Sequence, residues 1–414
     1  MDKLDDAPAL LRAAMLSEDG RRDPYPYLSA LHAHGAATMM DEGYLAVWGY
    51  AASTDLMRSP AWGRKPPDPT IRATWQHSMT SEQRAQLRDE DAPDLGPWLQ
   101  LMDGQEHVHQ RMTVNKAFSP KRLAVMRDRI EERVNELCDA IVPGEPFDFI
   151  EMIAYPLPTT MIGELVGLPL DRRGWFAERA GTQRSERDPA STFDQLLLAV
   201  RARRELAAYV EGLTEERRRH PAGDLLTDLL AVMDSGEITK PQMLALVLMM
   251  YLAGHSTTAH MLGNGLHALV SNPEQMDLLR ADRSLVKRAT EEFLRYDTMV
   301  VSVDYRAQAD TVVDGIDVPS GTPAHVFLGA ANRDPAVFND PDSLDVARDE
   351  GGHISFGAGP HFCLGAALAR LESDVAFNAL LDRFATIELV EDMPPRADSF
   401  NYRSFTRLPV VVHP

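Results

Sequence analysis

Cysteine is nearly missing from this chain: Cys138 and Cys363 are the only two among 414 residues. Two thiols cannot build a disulfide framework or a four-cysteine zinc site, and if one of them binds a metal the other has nothing to pair with. That scarcity fits a reducing cytoplasm. Basic charge is also in deficit, with 42 Lys and Arg against 62 Asp and Glu and a formal net charge of -20. This balance argues against a nucleic-acid binder, which needs a basic footprint. Long apolar runs are lacking as well. The longest, Met243 to Ala253, is well short of the ~20 residues that cross a bilayer. The N-terminal stretch mixes acids and arginines throughout, with no signal-peptide core or apolar anchor. No compositional break marks a linker, so residues 1–414 read as one domain, and 44% hydrophobic residues suffice for a large core.

What the chain does have is a concentrated stretch near its end, Phe356 to Gly365, reading FGAGPHFCLG. A lone cysteine is by default a small buried hydrophobe. Packing alone, however, does not call for Gly357, Gly359, Gly365 and Pro360 around it, residues that let a backbone turn tightly and approach a flat partner. The following LGAALARLESDVAFNALLDRF has helical spacing, which sets Cys363 at a helix N-terminus, where free N-H groups and the helix dipole favour a thiolate.

Upstream, DPYPYLSALHA (23–33) reads as a turn and a short helix, and AATMM and YLAVW as a hairpin about Asp41, Glu42 and Gly43. From Ser59 to Leu101 no period is sustained. Within 104–140, His107 and Arg111 stand at i, i+4 and share a helix face, a spacing equally at home on a solvated surface. Residues 150–235 are helical with breaks at Pro156, Pro158, Gly167 and His220–Gly223, and the charged run RARRELAAYVEGLTEERRRH reads as a solvent-exposed helix. Thr239 and Gln242 form a capping-box pattern ahead of a helix that is apolar nearly all round, hence buried. It turns polar at Ala253-Gly254-His255-Ser256-Thr257-Thr258, where the threonines can bond back to the preceding turn or serve a ligand. Glu292 and Arg295, at i, i+3, suit an exposed ion pair. DG and PSG turns then separate short strands, and SFNYRSFTRLPVVV looks like a terminal hairpin.

FGAGPHFCLG resembles the haem-thiolate signature of the cytochrome P-450 family: Phe356, Gly357, Gly359, His361, Cys363 and Gly365 fill every place of that pattern. The resemblance continues through EHxxxR (His107, Arg111, with Phe118-Ser119-Pro120 after it), AGHSTT, ExxR (Glu292, Arg295), LDVAR and the LPVVV end. It implies a mainly α fold with a small β region, the haem b lying between a long central helix and the cysteine loop with its following helix. Cys363 is then the iron ligand, His107, Arg111, Arg306 and His361 hold propionates, and Ala253 and Gly254 open the helix beside the haem. Thr257 bonds dioxygen, and Glu292, Arg295 and Arg348 brace the cysteine loop. Ser256 departs from the pattern, standing where the family generally has a carboxylate. A hydroxyl relays protons but is a poor acid, so Ser256 with water is expected to replace it, with His255 either helping or facing away from the haem.

The implied reaction is oxidation of a small organic molecule with O2, in secondary metabolism, using NAD(P)H electrons passed through a ferredoxin reductase and a ferredoxin. Arg111, Lys116, Lys121, Arg122 and Arg370 are candidates for the docking patch. Trp75, Trp98, Met250, Val301, Val303, Phe400 and Tyr402 are candidates for the substrate pocket, with Ser302 and Asp304 as polar contacts. The other readings are peroxide-driven oxidation or coupling without oxygen insertion, and a non-catalytic haem-binding protein.

Overall fold

The structure is a computed structural model that describes residues 6–65, 79–90, 98–182, 185 and 191–414. The described residues gather into two compact units built of interleaved segments: 1–63, 127–157 and 257–414 form the first, 64–126 and 158–256 the second.

The first unit holds all the described strands: β1 (Ala37–Met39), β2 (Leu45–Val47), β3 (Trp62–Gly63), β4 (Phe147–Asp148), β5 (Val303–Ala307), β6 (Thr311–Val313), β7 (Ile316–Val318), β8 (Pro323–Val326), β9 (Thr386–Leu389) and β10 (Pro409–His413). They form a sheet of order β1-β2-β8-β5-β3, a sheet of order β4-β10-β9 and the hairpin β6-β7. Gly43, at φ +82, lets β1 fold back on β2 with Ala37 opposite Val47. Asp314 and Gly315, both at positive φ, make the DG turn of β6-β7. The large sheet packs Leu45, Val47, Tyr305 and Val326 against Leu56 and Met57 of the helix Tyr50–Arg58 and against Ile354 and Ala358 of the cysteine loop. The loop is therefore seated on a hydrophobic core. β10 pairs with β9 and β4, so the LPVVV strand does not hairpin back onto SFNYR as the sequence suggested.

Helices make up the second unit. Ser81–Glu90 forms a helix inside the stretch that shows no period, because only Leu87 of its ten residues is buried. Pro156 and Pro158 open the helix Pro156–Val166 rather than break one; proline in a first turn lacks only an N-H that would be unpaired anyway. The helix Phe193–Arg219 is not solvent-exposed all round: Val200, Arg203, Leu206, Ala207 and Val210 are buried on one face, and the abundance of Arg and Glu masks that stripe in the sequence.

The longest helix, Lys240–Val270, starts at a closed capping box in which the Thr239 N-H donates to Gln242 Oε1 (2.8 Å) and the Gln242 N-H to Thr239 Oγ1 (3.4 Å). Residues Met243 to Tyr251 are all buried, as the all-round apolar pattern requires. Among the described residues no helix is long and apolar enough to cross a membrane.

Candidate functional site

The cysteine loop is tied down along its length by its own backbone and by buried side chains. Asn332 Oδ1 accepts from the Ile354 N-H (2.8 Å), Asn332 Nδ2 donates to Ser355 Oγ (2.7 Å), and Ser355 Oγ donates to the Leu294 carbonyl (2.6 Å). Gly357 and Gly359 lie at φ +71 and +68. A Cβ on Gly359 would come 2.3 Å from the Met57 carbonyl oxygen, so only glycine lets the loop touch the end of the helix Tyr50–Arg58. After a short turn over Gly359–His361, the Cys363 N-H donates to the Phe356 carbonyl (2.8 Å). The thiol is left exposed. It precedes the N-cap Gly365 of the helix Ala366–Arg383 and so stands just before that helix rather than in its first turn.

Two adjacent glutamates on the helix Val286–Tyr296 hold the loop from behind. Glu292 accepts a bidentate pair from Arg295 Nε (2.7 Å) and Nη2 (2.8 Å), a bond from Arg348 Nε (3.3 Å) and the Asp345 N-H (2.9 Å). Arg295 passes its remaining hydrogens to the carbonyls of Asn332, Pro341 and Ser343. The pair is buried, not a surface ion pair.

Glu291, unnoticed in the sequence except as the first letter of EEFLR, takes a second bidentate pair from Arg370 (2.6 and 2.7 Å) and contacts His353 Nε2 (3.1 Å). Burial pushes its carboxyl up, but the bonds from Arg370 and His353 outweigh that and hold it down at about 2. Arg370, one of the docking candidates, is thus bound to Glu291. Arg122, another of them, pairs with Asp228 (2.7 Å), while Lys116 and Lys121 stay exposed.

In the second unit, the helix Gly104–Asn115 buries His107, Gln110 and Val114 and half-buries Arg111 on one face, with Glu106, Val108, His109 and Met112 exposed on the other. Gln110 is 1% exposed and neither Oε1 nor Nε2 has a hydrogen-bond partner among the described residues. A buried amide with both ends unmet is rare in a finished core and marks a place for a polar group from outside the chain. Gln110→Leu is expected to stabilise the haem-free protein by ~1–3 kcal/mol, the usual cost of an unsatisfied buried polar group, and to speed haem loss from the loaded protein. Urea unfolding and haem transfer to a scavenger protein read the two; a less stable haem-free variant would show that Gln110 serves packing alone.

On the long helix the exposure pattern singles out Ala253, exposed in the middle of a buried helix. At about 100° per residue, Thr257 lies about 40° to one side of it and Ser256 about 60° to the other. His255 falls about 160° from Thr257. It is 1% exposed and stacks flat on Tyr251, with ring centroids 5.3 Å apart. Of the two orientations open to His255, the helical repeat and the stack on Tyr251 give the one turned away from Thr257. A Cβ on Gly254 would lie 2.8 Å from Ile162 Cδ1, so this glycine lets the helix Pro156–Val166 approach closely.

Of the pocket candidates, Trp75 lies outside the described residues. Trp98, Met250 and Val301 are buried, and Val303 is half-buried on β5. Phe400 is not at a tip: it is 1% exposed and set edge-on to Phe327. Tyr402 bridges to Val300 and is half-buried. Asn401 was missed, yet it zips the two segments together, its carbonyl accepting from the Val301 N-H (3.0 Å) and its Oδ1 from the Ser302 N-H and Oγ (2.9 and 3.0 Å). Asp304 is committed to His325 (2.7 Å), and Arg306, whose charge burial disfavours, donates to the Gly321 carbonyl.

Residues 194–410 match the family model described as Cytochrome P450. The chain is 34% identical to the cytochrome P450 monooxygenase PikC of Streptomyces venezuelae, over 92% of this chain and 89% of that protein. The chain is a cytochrome P450. It is also 31% identical to the vitamin D(3) 25-hydroxylase of Pseudonocardia autotrophica, over 95% of this chain and 94% of that one. The solved structure of P450BioI with a hexadec-9Z-enoic acid-ligated acyl carrier protein superposes at a TM-score of 0.86 and 26% identity, covering 96% of this chain and 100% of that one. The protein is accordingly an enzyme, a P450 monooxygenase, which sets aside the non-catalytic reading. The family implies a thiolate-ligated haem iron, and the residues fit it. In the first unit, Cys363 is exposed and its N-H is bonded to the Phe356 carbonyl; in the second, taken by itself, Gln110 offers a buried amide with no partner among the described residues, on the helix face that carries His107 and Arg111.

Proposed function

We propose that this P450 oxidises a small organic molecule of secondary metabolism with O2, taking NAD(P)H electrons from a ferredoxin reductase through a separate ferredoxin. The observation that carries the reading is the exposed Cys363 thiol, fixed by the bond from its N-H to Phe356 in a loop braced by Glu292, Arg295 and Arg348. Cys363 Sγ would ligate the iron, with His107, Gln110, Arg111, Arg306 and His361 as the groups for the propionates, whose charge-assisted hydrogen bonds are the strong ones. When bound, the haem supplies the iron at which dioxygen is reduced. The protein's part is to hold and pass protons: Thr257 Oγ1 and Ser256 Oγ flank Ala253 and can each accept and donate one. Exposed Lys116 and Lys121 suit an acidic ferredoxin, an attraction that salt weakens.

The reduced protein with carbon monoxide is expected to give the thiolate-type spectrum, lost in Cys363→Ser. Label from isotopic dioxygen should appear in the product. A wild-type carbon monoxide spectrum without thiolate character would end the reading.

A second reading rests on Ser256. The helix Lys240–Val270 contains no Asp or Glu, so no acid on it feeds the hydroxyls, and peroxide, which brings its own electrons and protons, suits such a site. Labelled peroxide entering the product where labelled dioxygen does not would favour it. Under the first reading, Thr257→Ala and Ser256→Ala each lower the fraction of NADPH consumption coupled to product.

A further inference from the structure

Arg370 has no part in the iron ligation or the proton relay, yet three contacts fix its position. Its guanidinium lies over the Phe356 ring, 4.6 Å from the centroid. Nε and Nη2 donate to the two oxygens of Glu291 at 2.6 and 2.7 Å. His353 closes the group, bonding Glu291 at 3.1 Å through Nε2 and standing 5.5 Å from the Phe356 ring. Phe356 is also the residue whose carbonyl accepts the Cys363 N-H at 2.8 Å. A fixed cation therefore lies over the residue whose carbonyl anchors the Cys363 backbone, with a carboxylate bonded to the edge of its plane. A planar guanidinium suits this use because it stacks on a ring and bonds a carboxylate bidentately at the same time.

We propose that the Arg370–Glu291 pair sets how strongly the Cys363 thiolate donates to the iron, and so the reduction potential at which the enzyme accepts its electrons. The inference rests on the haem-thiolate reading of Cys363. A positive charge near the thiolate stabilises its electron density on sulfur and favours the reduced iron; Glu291 offsets part of that. Side chains of Arg370 and Glu291 are 38% and 42% exposed, so solvent screening keeps the effect moderate. Arg370 is a positioning residue, since it acts through Phe356 and the field at sulfur.

Reduction potentials of the haem-loaded Arg370→Met and Glu291→Gln variants test this by spectroelectrochemistry. Methionine keeps a long side chain on the Phe356 ring without the charge, and glutamine keeps the shape of Glu291. The first is expected to shift the one-electron equilibrium up to about tenfold toward oxidised iron, about 59 mV. The second is expected to shift it by a smaller factor toward reduced iron. Arg370→Lys, which keeps the charge, is expected to stay within about twofold of the parent, and carries the test if Arg370→Met does not load haem. A loosened loop would move all three variants in one direction, so shifts of the same sign overturn the proposal, as does the absence of any shift. The carbon monoxide spectrum of the parent protein separates the two failures: without thiolate character the ligand reading falls, whereas with it and with unmoved potentials only this inference falls.

Discussion

Glu292→Ala is expected to destabilise the protein by ~3–5 kcal/mol, the cost of removing one partner from a buried ion pair. The change leaves Arg295, 2% exposed, with carbonyl acceptors only and Arg348, 7% exposed, with Glu350 as its remaining carboxylate, and deprives the Asp345 N-H of its acceptor. Arg295 in turn holds the Asn332 carbonyl, and Asn332 holds the Ile354 N-H at the start of the cysteine loop. Loss of Glu292 thus reaches Ile354, at the start of the cysteine loop, through three successive bonds. Urea unfolding should show the lost stability, and haem incorporation on expression should fall with it. A variant that unfolds at the parent midpoint and fills with haem would refute the bracing role. Glu292→Gln should recover only part of the loss, since an amide cannot neutralise two cations.

Asp297→Asn is expected to have an effect of similar size and to change the pH dependence of stability as well. Asp297 is buried between Arg403, which bonds one carboxylate oxygen, and Arg396, 2.9 Å from the other. Asn264 joins the cluster, donating to the Asp297 and Arg403 carbonyls at 3.2 and 3.0 Å. These contacts hold the Ser399–Ser404 turn, and with it Asn401, against the segment that carries Val301. Burial pushes the Asp297 carboxyl up, but the charges of Arg403 and Arg396 bring it down from 3.8 to about 2.

A depressed carboxylate stabilises the fold above its unfolded value, so on the order of 2 kcal/mol is present above pH 3.8 and lost as the pH falls toward 2. His267 acts higher on the scale. Burial lowers it from 6.5 to about 4, so the unfolded chain binds the proton first and stability falls between those values. The parent protein should weaken in two acid steps, and Asp297→Asn should retain the upper step and shrink the lower, to which the depressed Glu291 carboxyl also contributes. Unfolding midpoints measured from pH 7 to pH 2.5 decide this; an unchanged lower step would exclude Asp297 as its source.

How much was legible beforehand depended on distance along the chain. The hairpin β1-β2, the capping box at Thr239 and the DG turn rest on neighbours a few positions apart, and the sequence displays them. Pairing of distant residues left no such trace. The helix Phe193–Arg219 read as exposed because its buried stripe includes Arg203, and Phe400 read as a tip because nothing local announces Phe327 beside it. His255 could help a relay or face away until the helical repeat set it against Tyr251.

For the cysteine loop the division is sharp. Its glycines, its single thiol and the family were decided by residue types within ten positions, because tight turns and metal ligation impose identity on the residues that make them. Folding alone decided what surrounds that thiol. Glu291 meets Arg370 across 79 positions and Glu292 meets Arg348 across 56, and which glutamate takes which arginine depends on two helix faces about 100° apart. An ion pair needs only opposite charges in reach, a demand that many residues of this chain could meet and that tertiary packing reduces to these four.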